Sequence, residues 1–113
     1  MVSNMVEVVC ISDKNRPNQI PESDWVKQGD IYHITHVSIQ VNHLEHGIPI
    51  MGCDIYEKPL CLEKHNPYEC WRLSRFGVDE KNLLALIELI ENCYGLPKDE
   101  INDIIEQSQL QYL

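Results

Sequence analysis

The hydrophobic period of this chain changes once, and that change limits the folds open to it. Through Cys70-Trp71-Arg72-Leu73-Ser74-Arg75-Phe76-Gly77 apolar residues alternate with polar ones or form short β-branched runs. From Asp79 they recur at helical spacing. A period of two belongs to strands and a period of 3.6 to helices. The order is therefore strands first and helix last, which predicts an α+β domain.

The strand half reads as follows. Met5–Ile11 is β-branched, with Val6, Val8 and Cys10 on one face. Turn chemistry follows, and the connection runs on to Gln28 as a loop of about 17 residues, longer than usual. Trp25 and Val26 are expected to tack it down. Gly29 opens a strand over Asp30–Val41, long enough to bend or bulge in the middle. Asn42–Gly47 reads as a turn into a hairpin with Ile48–Tyr56. Pro49 places the start of that strand at an edge or outside the ladder, and Gly52 marks a bulge or a close backbone approach. Leu60-Cys61-Leu62 is a short strand or loop, and His65-Asn66-Pro67-Tyr68 a turn. Trp71 and Leu73 alternate with Arg72 and Ser74 in a last strand, after which Phe76 returns to the core.

In the helical half, Leu83, Leu86, Ile87, Ile90, Cys93 and Tyr94 form a stripe that Leu84 and Leu89 widen. Asp79 is the expected N-cap and Gly95 the stop. Pro97 opens a second helix carrying Ile101, Ile104, Ile105 and Leu110. The expected architecture is one domain over residues 1–113. A small SH3-like antiparallel β-barrel over residues 5–77 precedes a two-helix hairpin over residues 79–110.

Three segments within this frame, Val8-Val9-Cys10-Ile11-Ser12-Asp13, Gly29-Asp30-Ile31-Tyr32-His33-Ile34 and Trp71-Arg72-Leu73-Ser74-Arg75-Phe76, resemble a group of small bacterial and phage proteins. That group shares the pattern V-V-C-I-x-D … K-G-x-x-Y-x-V … F-R-x-S-R-F. The resemblance covers residues 6–76. The chain departs from it at Gln28, Ile34 and Trp71, and the acidic helical tail lies outside it. It implies a small β-barrel and no particular chemistry.

Charge narrows the partners. The chain has 113 residues, is 43% hydrophobic and 24% charged, and carries a net charge of −9. That balance is ordinary for a globular domain able to bury a core. Residues 79–113 hold eight acids against Lys81 and Lys98. Such a surface repels phosphate backbones and anionic membranes, so nucleic acid is disfavoured. No apolar run approaches the ~20 residues of a membrane span. Met1–Met5 lacks a basic leader and Glu7 interrupts the apolar run, which argues against a signal peptide. The five cysteines are odd in number and none has C-x-x-C spacing, so reduced thiols and a cytoplasmic location are expected.

No catalytic constellation or metal motif assembles from the sequence, so no catalytic residue, metal site or cofactor is expected. His33 and His36, three apart in a strand, would face opposite sides. His43 and His46 share a turn and His65 stands apart. A zinc site needs four converging N or S ligands. Cys10, Cys53, Cys61 and Cys70 coexist with histidines but without the local setting of a nucleophile. What remains is a basic and aromatic patch of Arg72, Arg75, Trp25, Arg16 and Lys14. A second candidate is an apolar helix face at Leu84, Leu86 and Leu89 for a protein partner or a homodimer. The leading expectation is a non-enzymatic binding or adaptor module. The alternatives are a nucleic-acid accessory protein using Arg72 and Arg75, and a His/Cys metalloprotein or small enzyme. For each arginine, pairing within the fold is the competing expectation.

Overall fold

A computed structural model of the chain describes residues 5–45, 48–94 and 111–113. The protein is α+β, with one six-stranded sheet in the order β4-β3-β2-β1-β5-β6. The strands are β1 (Val6–Cys10), β2 (Ile31–Glu45), β3 (Ile48–Ile55), β4 (Trp71–Arg72), β5 (Phe76–Val78) and β6 (Gln111–Tyr112). All neighbours are antiparallel except β5 and β6. Among the described residues two α-helices accompany them, the single turn α1 (Leu62–His65) and the long α2 (Glu80–Tyr94).

Alternation builds β1 as expected: Val6, Val8 and Cys10 are buried while Glu7 is exposed. β2 bulges in its middle. Ile34 pairs with Ile55 and His36 with Asp54, which leaves Thr35 as the extra residue. Ile34 and Val37 are both buried, so Thr35 and His36 both face outward. The bulge corrects one expectation, because it puts His33 and His36 on the same solvent side. β2 also continues through Glu45, where a turn from Asn42 was expected. Pro49 lies within the β2–β3 ladder, opposite Leu44, and β4 pairs with β3 only at Gly52 and Cys53.

The stretch Cys70–Gly77 is not one closing strand. It is two strand pieces joined by a 3₁₀ turn over Leu73–Arg75. β4 lies beside β3, whereas β5 lies on the far side of β1. Four chain steps join Arg72 to Phe76 and reach at most about 14 Å. Four interstrand spacings in a flat sheet would separate β4 from β5 by about 19 Å. The sheet must therefore curl so that its two flanks approach. It remains open: β4 and β6 are its edges, and hydrogen bonding does not close it into a barrel among the described residues.

The curl encloses the core. Trp25, Tyr32, Ile34, Val37, Met51, Ile55, Trp71, Leu73 and Phe76 are all buried there. The indoles of Trp25 and Trp71 stand 5.1 Å apart, and Tyr32 meets Phe76 edge to face at 6.0 Å. α2 covers β2 and β1 with Leu86 and Ile90, and Leu83, Ile87 and Leu89 flank that contact. Its N-cap is Asp79, whose Oδ1 accepts a hydrogen bond from Asn82 N at 3.2 Å. The expected second helix falls in residues 95–110, outside the described residues. Gln111 and Tyr112 then pair with Gly77 and Val78, so β5, α2 and β6 form a crossover between parallel neighbours.

Gly52 is a close approach rather than a bulge. A Cβ there would lie 2.6 Å from Cys70 Sγ and 3.0 Å from Ser38 Oγ. Gly52→Ala is expected to destabilise the fold by about 1–3 kcal/mol, as overpacking does. Urea unfolding of Gly52→Ala, Cys70→Ala and the double variant checks the cause. Removing the thiol in the double variant should recover much of the loss.

Candidate functional site

The connection between β1 and β2 has little regular structure, yet it is held at many points. The backbone turns left-handed at Asn15 (φ 64°), and Gly29 (φ 94°) supplies the bend into β2. Between them a 3₁₀ turn, Glu22–Asp24, presents Trp25 and Val26 to the core. Trp25 Nε1 donates to the Asp13 carbonyl at 2.6 Å, and Gln28 N donates to Asp13 Oδ2 at 3.0 Å. Arg16 Nη1 donates to the Ile20 carbonyl at 2.7 Å. Lys27 N donates to the Tyr32 hydroxyl at 2.9 Å. Polar groups packed into a fold need such partners, and here two loop carbonyls, the Asp13 carboxylate and the Tyr32 hydroxyl provide them.

Arg75 completes this clamp. Its Nη1 donates to the Lys14 carbonyl at 2.9 Å and to the Ser12 carbonyl at 3.3 Å. Its guanidinium lies 4.7 Å from the centroid of the Trp25 ring. The Arg75 carbonyl also accepts from Ile11 N at 2.8 Å. Carbonyl acceptors orient the guanidinium but do not cancel its charge.

A second clamp fixes the other end of the loop. His65 is 2% exposed. Its Nδ1 accepts from Cys61 N at 3.2 Å, which leaves Nε2 as the donor to Asp24 Oδ2 at 2.9 Å. Lys58 Nζ donates to the Ser23 carbonyl at 2.7 Å, and Trp71 Nε1 donates to the Lys58 carbonyl at 2.9 Å. The hydrogen bond from His65 holds the Asp24 carboxyl below its usual value, with help from the positive charges of Lys64 and Lys58.

Between the clamps lies a cleft of about 350 Å³. Trp25 and Trp71 form its floor, and Leu60, Tyr68, Ile50 and Pro17 line its walls. Arg72 and Arg75 stand on its margin. Burial lowers the Arg75 pKa, and the positive charge of Arg72 adds to that. The structure therefore brings Arg72, Arg75 and Trp25 of the expected patch to one place. Arg16 and Lys14 are exposed on the adjoining loop and do not line the cleft. Leu60, Tyr68 and Ile50 also line the cleft and carry no site signal in the sequence. Only their turn and strand positions were legible, because nothing local says that residues 50, 60 and 68 converge.

The other candidates fall differently. Of the proposed helix face, Leu86 is core at 2% exposure, Leu89 is partly buried against the core, and Leu84 is 73% exposed. Burial thus removes Leu86 from any partner surface. His33 is taken up by Glu57, whose carboxylate accepts from both the His33 ring and the His33 amide. Among the described residues no three His, Cys, Asp or Glu side chains converge as metal ligands. Burial pushes the Cys10, Cys53 and Cys70 thiols up and so keeps them protonated and weakly nucleophilic. No helix among the described residues is long and apolar enough to cross a membrane. Compared with protein-family models, curated proteins and solved structures, the chain shows no match.

Two outcomes test the clamps. Arg75→Lys keeps the charge but loses the planar guanidinium that lies over Trp25 and is oriented by the two carbonyls, and a loss of about 1–3 kcal/mol in chemical denaturation is expected. The Asp24 pKa is depressed in the folded state. Its contribution is therefore complete above the ordinary aspartate value and is lost as pH falls through the lowered one. Stability profiles of wild type and Asp24→Asn should separate above that window and converge below it, as read by thermal unfolding across acidic pH.

Proposed function

We propose that the protein is a non-enzymatic binding module whose ligand site is the cleft between the β1–β2 loop and β4. The ligand is an extended protein segment. It places an aliphatic or aromatic side chain between Leu60 and Tyr68, over the indole edges, and an acidic group against Arg72 and Arg75. One observation carries this reading: a concave, mostly apolar site with two guanidiniums at its margin, built on a loop clamped from both ends. The clamping matters because a preordered site loses little entropy on binding.

The curl of the sheet and the long first loop support an SH3-like assignment, in which that loop borders the binding groove. The buried, free Cys10 and Cys53 support a reducing compartment, the cytoplasm of a bacterium or of a phage-infected cell, in keeping with the resemblance over residues 6–76. A nucleic-acid ligand is less well supported. The net charge of −9 opposes it, and Arg75 is already oriented toward carbonyls. Leu84 alone is a weak basis for dimerisation, since single exposed apolar residues are ordinary.

A random peptide library displayed on phage and selected on the immobilised full chain tests the reading. The expected result is enrichment of segments with an apolar residue near Asp or Glu. Their synthetic forms should change the tryptophan emission saturably and bind Arg72→Glu and Tyr68→Ala about tenfold more weakly, within the range of moderate interface residues. Peptides that bind both variants as tightly as wild type would overturn the assignment.

A further inference from the structure

A second concavity, of about 570 Å³, lies on the solvent side of β2 and β3. Thr35, His36, Asp54, Tyr56, Leu62 and Glu69 line it. It exists because of the bulge in β2, which turns both Thr35 and His36 outward opposite Asp54. It shares Leu60 and Glu69 with the tryptophan-floored cleft. The two hollows are thus neighbours across a common wall.

Their charges are opposite. The cleft carries Arg72 and Arg75, and the second hollow carries Asp54, with Glu69 at the boundary. Asp54 reaches solvent, but the protein crowding its other sides pushes its carboxyl up, and Glu69 adds to that while His36 opposes it. A carboxylate whose charge its surroundings disfavour gains from a cationic partner. Tyr56 is 69% exposed and Leu62 49% exposed beside it. An aromatic ring and an apolar rim suit a Lys or Arg, whose long stem packs while its head meets the acid.

We propose that the two hollows form one docking track for an extended peptide segment of polarised charge. An acidic residue of that segment sits at Arg72 and Arg75, an apolar residue spans Leu60, and a Lys or Arg sits at Asp54 and Glu69. The proposal rests on the cleft being the ligand site and adds the second half of the ligand. The track rejects a uniformly acidic segment at one end and a uniformly basic one at the other. The acidic character of the whole chain would not supply that selectivity by itself.

The test uses three dye-labelled decapeptides that share an acidic end and an apolar centre. Their other ends are lysine-rich, neutral or acidic. Fluorescence anisotropy measures their binding to the wild-type chain, Asp54→Asn/Glu69→Gln and Arg72→Gln. The lysine-ended peptide should bind wild type most tightly. Neutralising its lysines, or the protein's two carboxylates, should weaken it by about three- to fivefold, the range of exposed ion pairs. Making both changes should cost no more than one, because they remove the same interaction. If Asp54→Asn/Glu69→Gln binds the lysine-ended peptide as tightly as wild type while Arg72→Gln does not, the track is overturned and the cleft assignment stands. If no decapeptide binds wild type, both fall.

Discussion

Three residues, Leu73 to Arg75, carry the chain from one flank of the sheet to the other. That short link cannot reach across a flat sheet, so the curl is imposed by chain length rather than only favoured by twist. Much else depends on it. The curl sets Trp71 against Trp25 and Phe76 against Tyr32. It also brings the end of the turn over the β1–β2 loop, where Arg75 can reach the Ser12 and Lys14 carbonyls. The link and the loop therefore stabilise each other, and the cleft is the space left between them.

The sequence carried the local elements well and the long-range ones poorly. β1, the bent β2, the Asp79 cap and α2 are written in period, β-branching and capping chemistry, all of which act over a few residues. Phe76 was expected in the core and is there. The division of Cys70–Gly77 between two distant strands was not legible. The Trp71–Ser74 alternation mimics one strand, and only the pairing of Gly77 with Val9 and of Trp71 with Cys53 separates them. The same limit applies to His33 and His36. Two residues three apart in a regular strand must oppose each other, and the extra residue of a bulge is visible only in the register.

At the site, residue type was a better guide than position. Trp25, Arg72 and Arg75 stand out in the sequence as members of a basic and aromatic patch, and these three do converge. The competing expectation for Arg75, that it caps carbonyls, also proved right. These roles are compatible, because a hydrogen bond to a neutral acceptor fixes the group while keeping its field. His65 reads in the sequence as part of a turn and as a histidine apart from the others, yet it is the buried partner of Asp24. A histidine that anchors a loop from 41 residues away leaves no trace in its own neighbourhood.

Both tryptophans of the chain lie in the same small region, one on the loop and one on β4. Intrinsic fluorescence is thus a local gauge of this molecule, not an average over it. It follows whether the loop is seated on the strand, while the ellipticity of α2 follows a different part of the structure. A condition that lifts the loop alone would be seen by one spectroscopy and missed by the other. Agreement between the two signals on unfolding would mean that loop, sheet and helix are released together.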